Sequence, residues 1–442
     1  VKPTRLAVAL ALGLTATAAL SACSTPGSGD AGTAGPQSVA PVRGDGKTIT
    51  VWVMNEDYST ETLTAINDEF TKQTGAKVNL QVQDWDGITT KITTALATST
   101  PPDVLDLGNT QVASFAANGG LKDLTPYEKD LKQGRHWLSG LVDPATVDGH
   151  LYAVPGFAGA RSVIYNKKVW AAAGITAPPT THDELLADLD KVRAANPAED
   201  FSPLYLPGQN WYAGMQFVWD AGAEIATNAG GKWTPGFSSE KAQQGLNDFK
   251  EFQNKYSAPA SRTVDTKSPD QLQIFADGKA SAVIATSGAI GQIQKANPAL
   301  TEADLGSFPL PGKSGKNQPV MLGGSDWGIA AKSQNPELAV VWAKIAVSPQ
   351  IQDTWVFGKE GWIPNSSEAI ESAAAKVKPV KKGFFDAALT SKATPASANW
   401  AEIEGKKDLE ALFAAVASGA KTPKDAAATF DAAATKVLNA SS

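Results

Sequence analysis

The chain has 442 residues, 42% hydrophobic and 19% charged, with a formal net charge of −6 and a pI of about 5.3. That balance belongs to a globular protein long enough for two or three cores, and the lack of any clustered Lys/Arg stretch argues against a nucleic-acid partner. The lone cysteine, Cys23, allows neither an intramolecular disulfide nor a Cys metal cluster. His136, His150 and His182 are far apart with no ligand spacing, so they read as surface or loop histidines and no cofactor is expected. Twelve Trp against seven Tyr is unusual, because indole is favoured where one side is apolar and the other wet.

Lys2 and Arg5 precede a run of small and apolar residues from Leu6 to Leu20. A basic start, an apolar core of this length and small residues before a cut site make a secretory signal. The run is shorter than the roughly 20 apolar residues of a spanning helix. Leu20-Ser21-Ala22-Cys23 resembles the lipobox of bacterial lipoproteins. The resemblance implies removal of residues 1–22, acylation of Cys23, and a chain held by lipid on the outer face of the cell membrane. Residues 24–46 are rich in Gly, Ser, Thr, Ala and Pro without apolar periodicity, so 23–46 reads as the acylated Cys and a flexible tether. Gly46-Lys47-Thr48 mimics the end of a phosphate-binding loop, but the motif's first glycine is replaced by Pro41.

The folded part is organised by the stretch from Thr48 to Thr110. Three apolar runs, Thr48 to Val53, Val78 to Val82 and Val104 to Leu107, alternate with two helical segments. One is Glu61 to Thr74 with Leu63, Ile66 and Phe70 on a face; the other carries the stripe Ile88, Ile92, Ala95 and Leu96. Such alternation predicts βαβ units and a parallel sheet. Ligands of open α/β sheets bind outside the carboxyl ends of the strands. Here those ends carry Asn55, Glu56, Asp57 and Tyr58, then Asp84 and Trp85, then Asn109 and Thr110.

Further along, Leu151 to Pro155 and Arg161 to Tyr165 read as strands, Asn166 opens a helix, and Thr180 to Ala194 is a capped helix. Leu204 to Leu206 is a short strand leading into the turn-rich Pro207-Gly208-Gln209-Asn210-Trp211-Tyr212. Helices are expected over 213–222, 239–255 and 268–276, a strand over 282–285, and another after the pair Gly323-Gly324. The helix 336–347 follows, and a last one starts at Thr422-Pro423. Two α/β lobes suit a chain of this size better than one sheet.

Several of these segments carry a family resemblance. Phe275-Ala276-Asp277-Gly278-Lys279-Ala280, Tyr165-Asn166-Lys167 after Val154-Pro155, and Gly323-Gly324-Ser325 followed by Asn335-Pro336-Glu337-Leu338-Ala339 resemble the extracellular sugar-binding receptors of ABC importers, the maltose-receptor-like group. Val51-Trp52-Val53-Met54, Pro101 to Leu105, Gly108 to Gln111 and Leu206 to Tyr212 are similar to its chitobiose and N-acetylglucosamine receptors. One departure is the loop Thr286-Ser287-Gly288-Ala289, which lacks the Trp that members often place there. The resemblance implies a two-lobed periplasmic-binding-protein-like α/β fold (type II). Lobe 1 would hold 47–155 with 320–360 and lobe 2 would hold 156–319 with 361–442, with a hinge between Pro155 and Ala160. It also implies a monomer that binds a sugar and partners the permease subunits of an importer.

A pyranose presents an apolar C–H face and a rim of hydroxyls, so its site needs flat aromatics and a few fixed polar groups. The candidates are Asn55, Glu56, Asp84, Trp85, Asn109 and Thr110 from the strand ends, Arg161 past the hinge, and Asn210 with Trp211 in the turn-rich loop. Gly324 and Ser325 offer close backbone approach, and Trp327, Trp362 and Trp400 offer stacking faces. The competing readings are a secreted glycosidase-like enzyme, which would need two suitably spaced carboxylates, and a surface adhesin. No hydrolase motif of the G-x-S-x-G or H-E-x-x-H kind is present.

Overall fold

The computed structural model describes residues 37–440. The expected signal segment, Cys23 and the tether up to residue 36 lie outside the described residues. In chain order the strands of the two main sheets are β1 (Thr48–Met54), β2 (Lys77–Gln83), β3 (Val104–Gly108), β4 (Ala153–Gly159), β5 (Arg161–Asn166), β6 (Ala282–Thr286), β7 (Leu305–Phe308), β8 (Gly323–Ile329) and β9 (Ile363–Pro364). The helices that bear on the site are α1 (Thr60–Thr74), α2 (Ile88–Ala97), α3 (Trp211–Asp220), α4 (Glu240–Tyr256) and α5 (Pro336–Ala346).

The first lobe is a six-stranded sheet in the order β9-β4-β8-β3-β1-β2. β1 lies between β2 and β3 and runs parallel to both, Val51 pairing with Leu80 on one side and Val104 on the other. The βαβ expectation is therefore met. Ile49, Val51 and Val53 alternate into the core along β1, whereas Val104 to Leu107 of the central β3 are all buried. α1 starts at Ser59, whose Oγ accepts the Thr62 N–H, and stops at Gly75 in the left-handed region (φ +76°). Its Leu63, Ile66 and Phe70 pack with Leu338, Trp342 and Ile345 of α5. Fully burying a side chain such as Phe70 contributes about 1.5–3 kcal/mol.

The second lobe is built on β5, flanked antiparallel by β6 and β7. The expected strand 204–206 contributes only a bridge, Tyr205 pairing in parallel with Val283. Its core gathers Trp170, Trp219, Phe249, Phe413 and Phe430.

The chain passes between the sheets at three places. Gly159 still pairs with Gly323 in the first sheet and Arg161 already pairs with Thr286 in the second, so Ala160 alone separates them. β7 returns to β8 through Val320–Met321, which pairs with Ser391–Lys392. The third passage follows β9. Ile363–Pro364, which the expected division placed with the second lobe, pairs with Ala158 and Phe157 at the edge of the first sheet.

Candidate functional site

A cavity of about 530 Å³ lies where the three passages meet. Asp57, Trp85, Phe157, Ser325, Glu360 and Trp362 line it from the first lobe. Arg161, Thr286, Ser287, Gly288 and Lys381 line it from the second, and Gly159, Gly323, Gly324 and Gly361 complete the lining.

Asp57 is the centre of the first-lobe wall. After β1 the chain turns sharply: Asp57 N–H donates to Met54 O at 3.3 Å and Glu56 takes φ +71°. The turn leaves Asn55 and Glu56 exposed and brings Asp57 and Tyr58 inside. Asp57 Oδ2 accepts from Ser325 Oγ at 2.7 Å and Oδ1 from Trp85 Nε1 at 3.3 Å, while its carbonyl oxygen accepts from Trp362 Nε1 at 2.9 Å. Two indoles are thus fixed on one residue. Trp362 also stacks on Phe157, with ring centroids 4.6 Å apart. Trp85 keeps 41% of its surface exposed, so a face remains free for a guest. Glu360 Oε1 accepts from Ser59 N at 3.0 Å, from Ser59 Oγ at 2.6 Å and from Thr62 Oγ1, which pins the 358–362 loop to the start of α1. Gly324 is required by packing, since a Cβ there would lie 2.1 Å from the Phe157 carbonyl oxygen.

On the opposite wall, the Arg161 guanidinium carbon sits 3.7 Å from the centroid of the Tyr212 ring. Tyr212 in turn stacks on Trp211 at 4.0 Å. Burial pulls the guanidinium below its ordinary value, Tyr212 opposes this, and no carboxylate acts on it among the described residues. It stays charged, a cation at the cavity stacked on the Tyr212 ring. The loop 286–288 presents a hydroxyl-bearing edge without an aromatic.

Carboxyl groups lie beneath the first wall. Burial pushes Asp57 up, against the hydrogen bonds from Ser325 and Trp85. Burial and then the neighbouring Asp57 push Asp106 well up, and burial alone does so for Asp326. Burial, then Asp106, raises the Tyr58 phenol as well. Among the described residues no group of three or more His, Cys, Asp or Glu is placed to hold a metal ion.

Of the sequence candidates, the structure brings Trp85, Arg161, Gly324, Ser325 and Trp362 to the cavity. The others lie elsewhere. Asn55, Glu56 and Asp84 point to solvent. Asn109 is buried and donates to Gly140 O and Leu322 O, bracing β3 against the second passage, and Thr110 sits in the turn beside it. Asn210 caps α3 by accepting the Ala213 N–H, so the helix begins two residues before the expected start. Trp211 is thereby rolled into the core at 3% exposure, because the Pro-Gly turn ends sooner than its composition suggests. Trp327 stacks on Tyr58 and packs edge-on against Trp342, and Trp400 is fully buried in the second core. Asp57 belongs to the expected strand-end rim but not to the narrower candidate set, and Phe157, Glu360 and Lys381 are in neither. Asp57 had a signal, its place at the end of β1, but the reversal of facing depends on the left-handed Glu56, which no side-chain pattern announces.

This arrangement, two lobes with a ligand-sized cleft at their passages, defines a class. The family model for bacterial extracellular solute-binding proteins matches residues 56–353, and the chain belongs to that family. Diacetylchitobiose binding protein DasA of Streptomyces coelicolor is 37% identical over 384 residues, covering 86% of this chain and 88% of its own. Among solved structures, the sugar-binding protein MalE of Xanthomonas citri matches with a TM-score of 0.76 at 21% identity, over 89% of this chain and 97% of that one. A cyclo/maltodextrin-binding protein complexed with maltotetraose matches with a TM-score of 0.74 at 22% identity, over 90% and 100%. These structural likenesses show the type II two-lobed fold, and the family and these relatives are binding proteins rather than enzymes.

Proposed function

We propose that this chain captures a sugar or short oligosaccharide in the interlobe cavity and hands it to the permease of an ABC importer, held to the membrane by acylated Cys23 and acting as a monomer. A β-linked amino sugar such as chitobiose is the first candidate, supported by the likeness to the chitobiose binding protein. The observation that carries the reading is that Trp85 and Trp362 both line the cavity and are both held by Asp57, one through its carboxylate and one through its carbonyl oxygen: flat apolar faces beside a fixed acceptor, the two things a pyranose asks for. Ser325 fixes the acceptor and Arg161 supplies donors from across the cleft. Closure of the lobes would sequester the guest and present a joint surface to the permease.

Calorimetry against chitobiose, N-acetylglucosamine, β-glucosides, α-glucosides and xylosides tests the sugar. Saturable one-to-one binding near micromolar, about −8 kcal/mol, is expected for one of them. No binding to any sugar would sink the reading, and release of monomer from chitobiose would replace it with a glycosidase. Membrane release and loss of acyl label in Cys23→Ala test the anchor.

A further inference from the structure

The two walls of the cavity carry opposite charges, and only one of the walls has its charges engaged. On the first-lobe wall the acids are held within their own lobe: Asp57 accepts from Ser325 at 2.7 Å and from Trp85 at 3.3 Å, and Glu360 Oε1 accepts from Ser59 Oγ at 2.6 Å and from Thr62 Oγ1. The second-lobe wall carries two cations, Arg161 and Lys381. Arg161 lies over the Tyr212 ring. Lys381 ends the single turn 379–381, and its Nζ stands at the 358–362 loop of the first lobe, 3.5 Å from where a Cβ on Gly361 would lie. The lysines beside it in sequence are paired, Lys378 with Glu302 at 3.1 Å and Lys382 with Asp386 at 2.6 Å. Arg161 and Lys381, the two cations that line the cavity, form no ion pair among the described residues.

We propose that the guest is a sugar bearing an anionic substituent, a carboxylate or a phosphate, and that Arg161 and Lys381 take that group while Asp57 takes ring hydroxyls. This rests on the sugar reading and narrows it. Closing the lobes strips water from both cations, and a cation buried without a counter-charge is costly. The first-lobe acids are held by donors of their own lobe, so moving either onto a cation would break bonds already made. A charge brought by the guest needs no such exchange. The planar fork of Arg161 suits either oxyanion with two parallel bonds, and the Lys381 ammonium acts at the same cavity as a point charge. The loop between them fits the same guest. Where an aromatic would stack on a neutral ring, Thr286 and Ser287 offer hydroxyls, which donate to oxyanions. The two walls then sort a guest by its ends, hydroxyls to the first lobe and charge to the second.

Calorimetry on the full chain compares chitobiose with two charged relatives. One is the disaccharide of N-acetylglucosamine and N-acetylmuramic acid, which adds a single lactyl carboxylate; the other is singly phosphorylated chitobiose. In low salt at least one charged relative should bind about tenfold more tightly than chitobiose. The advantage should shrink to about twofold near 1 M salt, where the screening length is about 3 Å. The neutral methyl ester of the anion that binds, alike in shape, should lose the advantage. These arms need only the wild type. Lys381→Gln, a change at a partly exposed side chain, should lower the ratio of charged to neutral affinity about fivefold, and Lys381→Arg should keep it. Chitobiose binding as tightly as both charged relatives, an ester that keeps the advantage, or a ratio unmoved by Lys381→Gln would each overturn the proposal and leave the sugar reading standing. A charged relative that binds where chitobiose does not would support it. If none of the three binds, the proposal falls, and the neutral sugars named above decide the sugar reading separately.

Discussion

On the first-lobe side of the cleft, Ser325, Trp85 and Trp362 are all hydrogen-bonded to Asp57, and Glu360 is clamped to the start of α1. On the second-lobe side, Arg161 rests on a single ring, and the 286–288 loop offers hydroxyls and backbone. The first wall is preorganised, its acceptor held by three donors and its rings already placed, so little ordering entropy is left to lose on binding. The second wall keeps its donors unspent. The contrast suggests that the first lobe sets most of the affinity and that the second tunes which guest permits closure.

The largest effect that would test this division is on folding. Trp211 supports Tyr212 and Arg161 from inside the second core, so Trp211→Ala should cost about 3–5 kcal/mol of stability in denaturant unfolding. A normal midpoint with lost sugar binding would instead make Trp211 a contact residue and blur the two walls. Trp362→Ala removes a stacked ring and one of the bonds to Asp57, and should weaken sugar binding by about 2–3 kcal/mol in calorimetry. Affinity within a factor of about two of wild type would move the affinity to the other wall. Trp85→Ala, half in solvent already, should cost about 1–2 kcal/mol of binding with an unchanged melting temperature. The smallest effect lies away from the cleft. Burial pushes the Glu368 carboxyl up, but the hydrogen bonds from the His136 ring and backbone N–H outweigh it and hold it down to about 2. That pair stabilises the fold above the ordinary carboxylate range, and its contribution is lost as pH falls through about 2. It is open to solvent, so Glu368→Gln should flatten the acid limb by only about 0.5 kcal/mol. A larger change would mean the passage after β9 is strained by this pair.

Much of the architecture was legible in the chain. Ile49, Val51 and Val53 announce β1, the stripe of Leu63, Ile66 and Phe70 announces α1, and Thr422-Pro423 opens the last helix, whose Thr422 accepts the Asp425 N–H as a cap should. These are local facts, decided by neighbours in sequence. The cleft is not local. Trp85, Trp362 and Ser325 meet at Asp57 only because residues 268 and 305 positions away return through separate passages. Three of the candidate tryptophans, Trp211, Trp327 and Trp400, are taken by the cores, because indole is as good a filler as it is a platform and composition cannot tell which side of a strand or helix start it will face.

Trp85 and Trp362 share a single hydrogen-bonding partner at the cavity, whereas Trp170, Trp327, Trp342 and Trp400 are sealed in the interior. The molecule therefore carries its own optical probe. A guest seated against Asp57 alters the surroundings of two indoles at once and leaves the sealed ones as a constant background, so occupancy can be followed by intrinsic emission with no label attached.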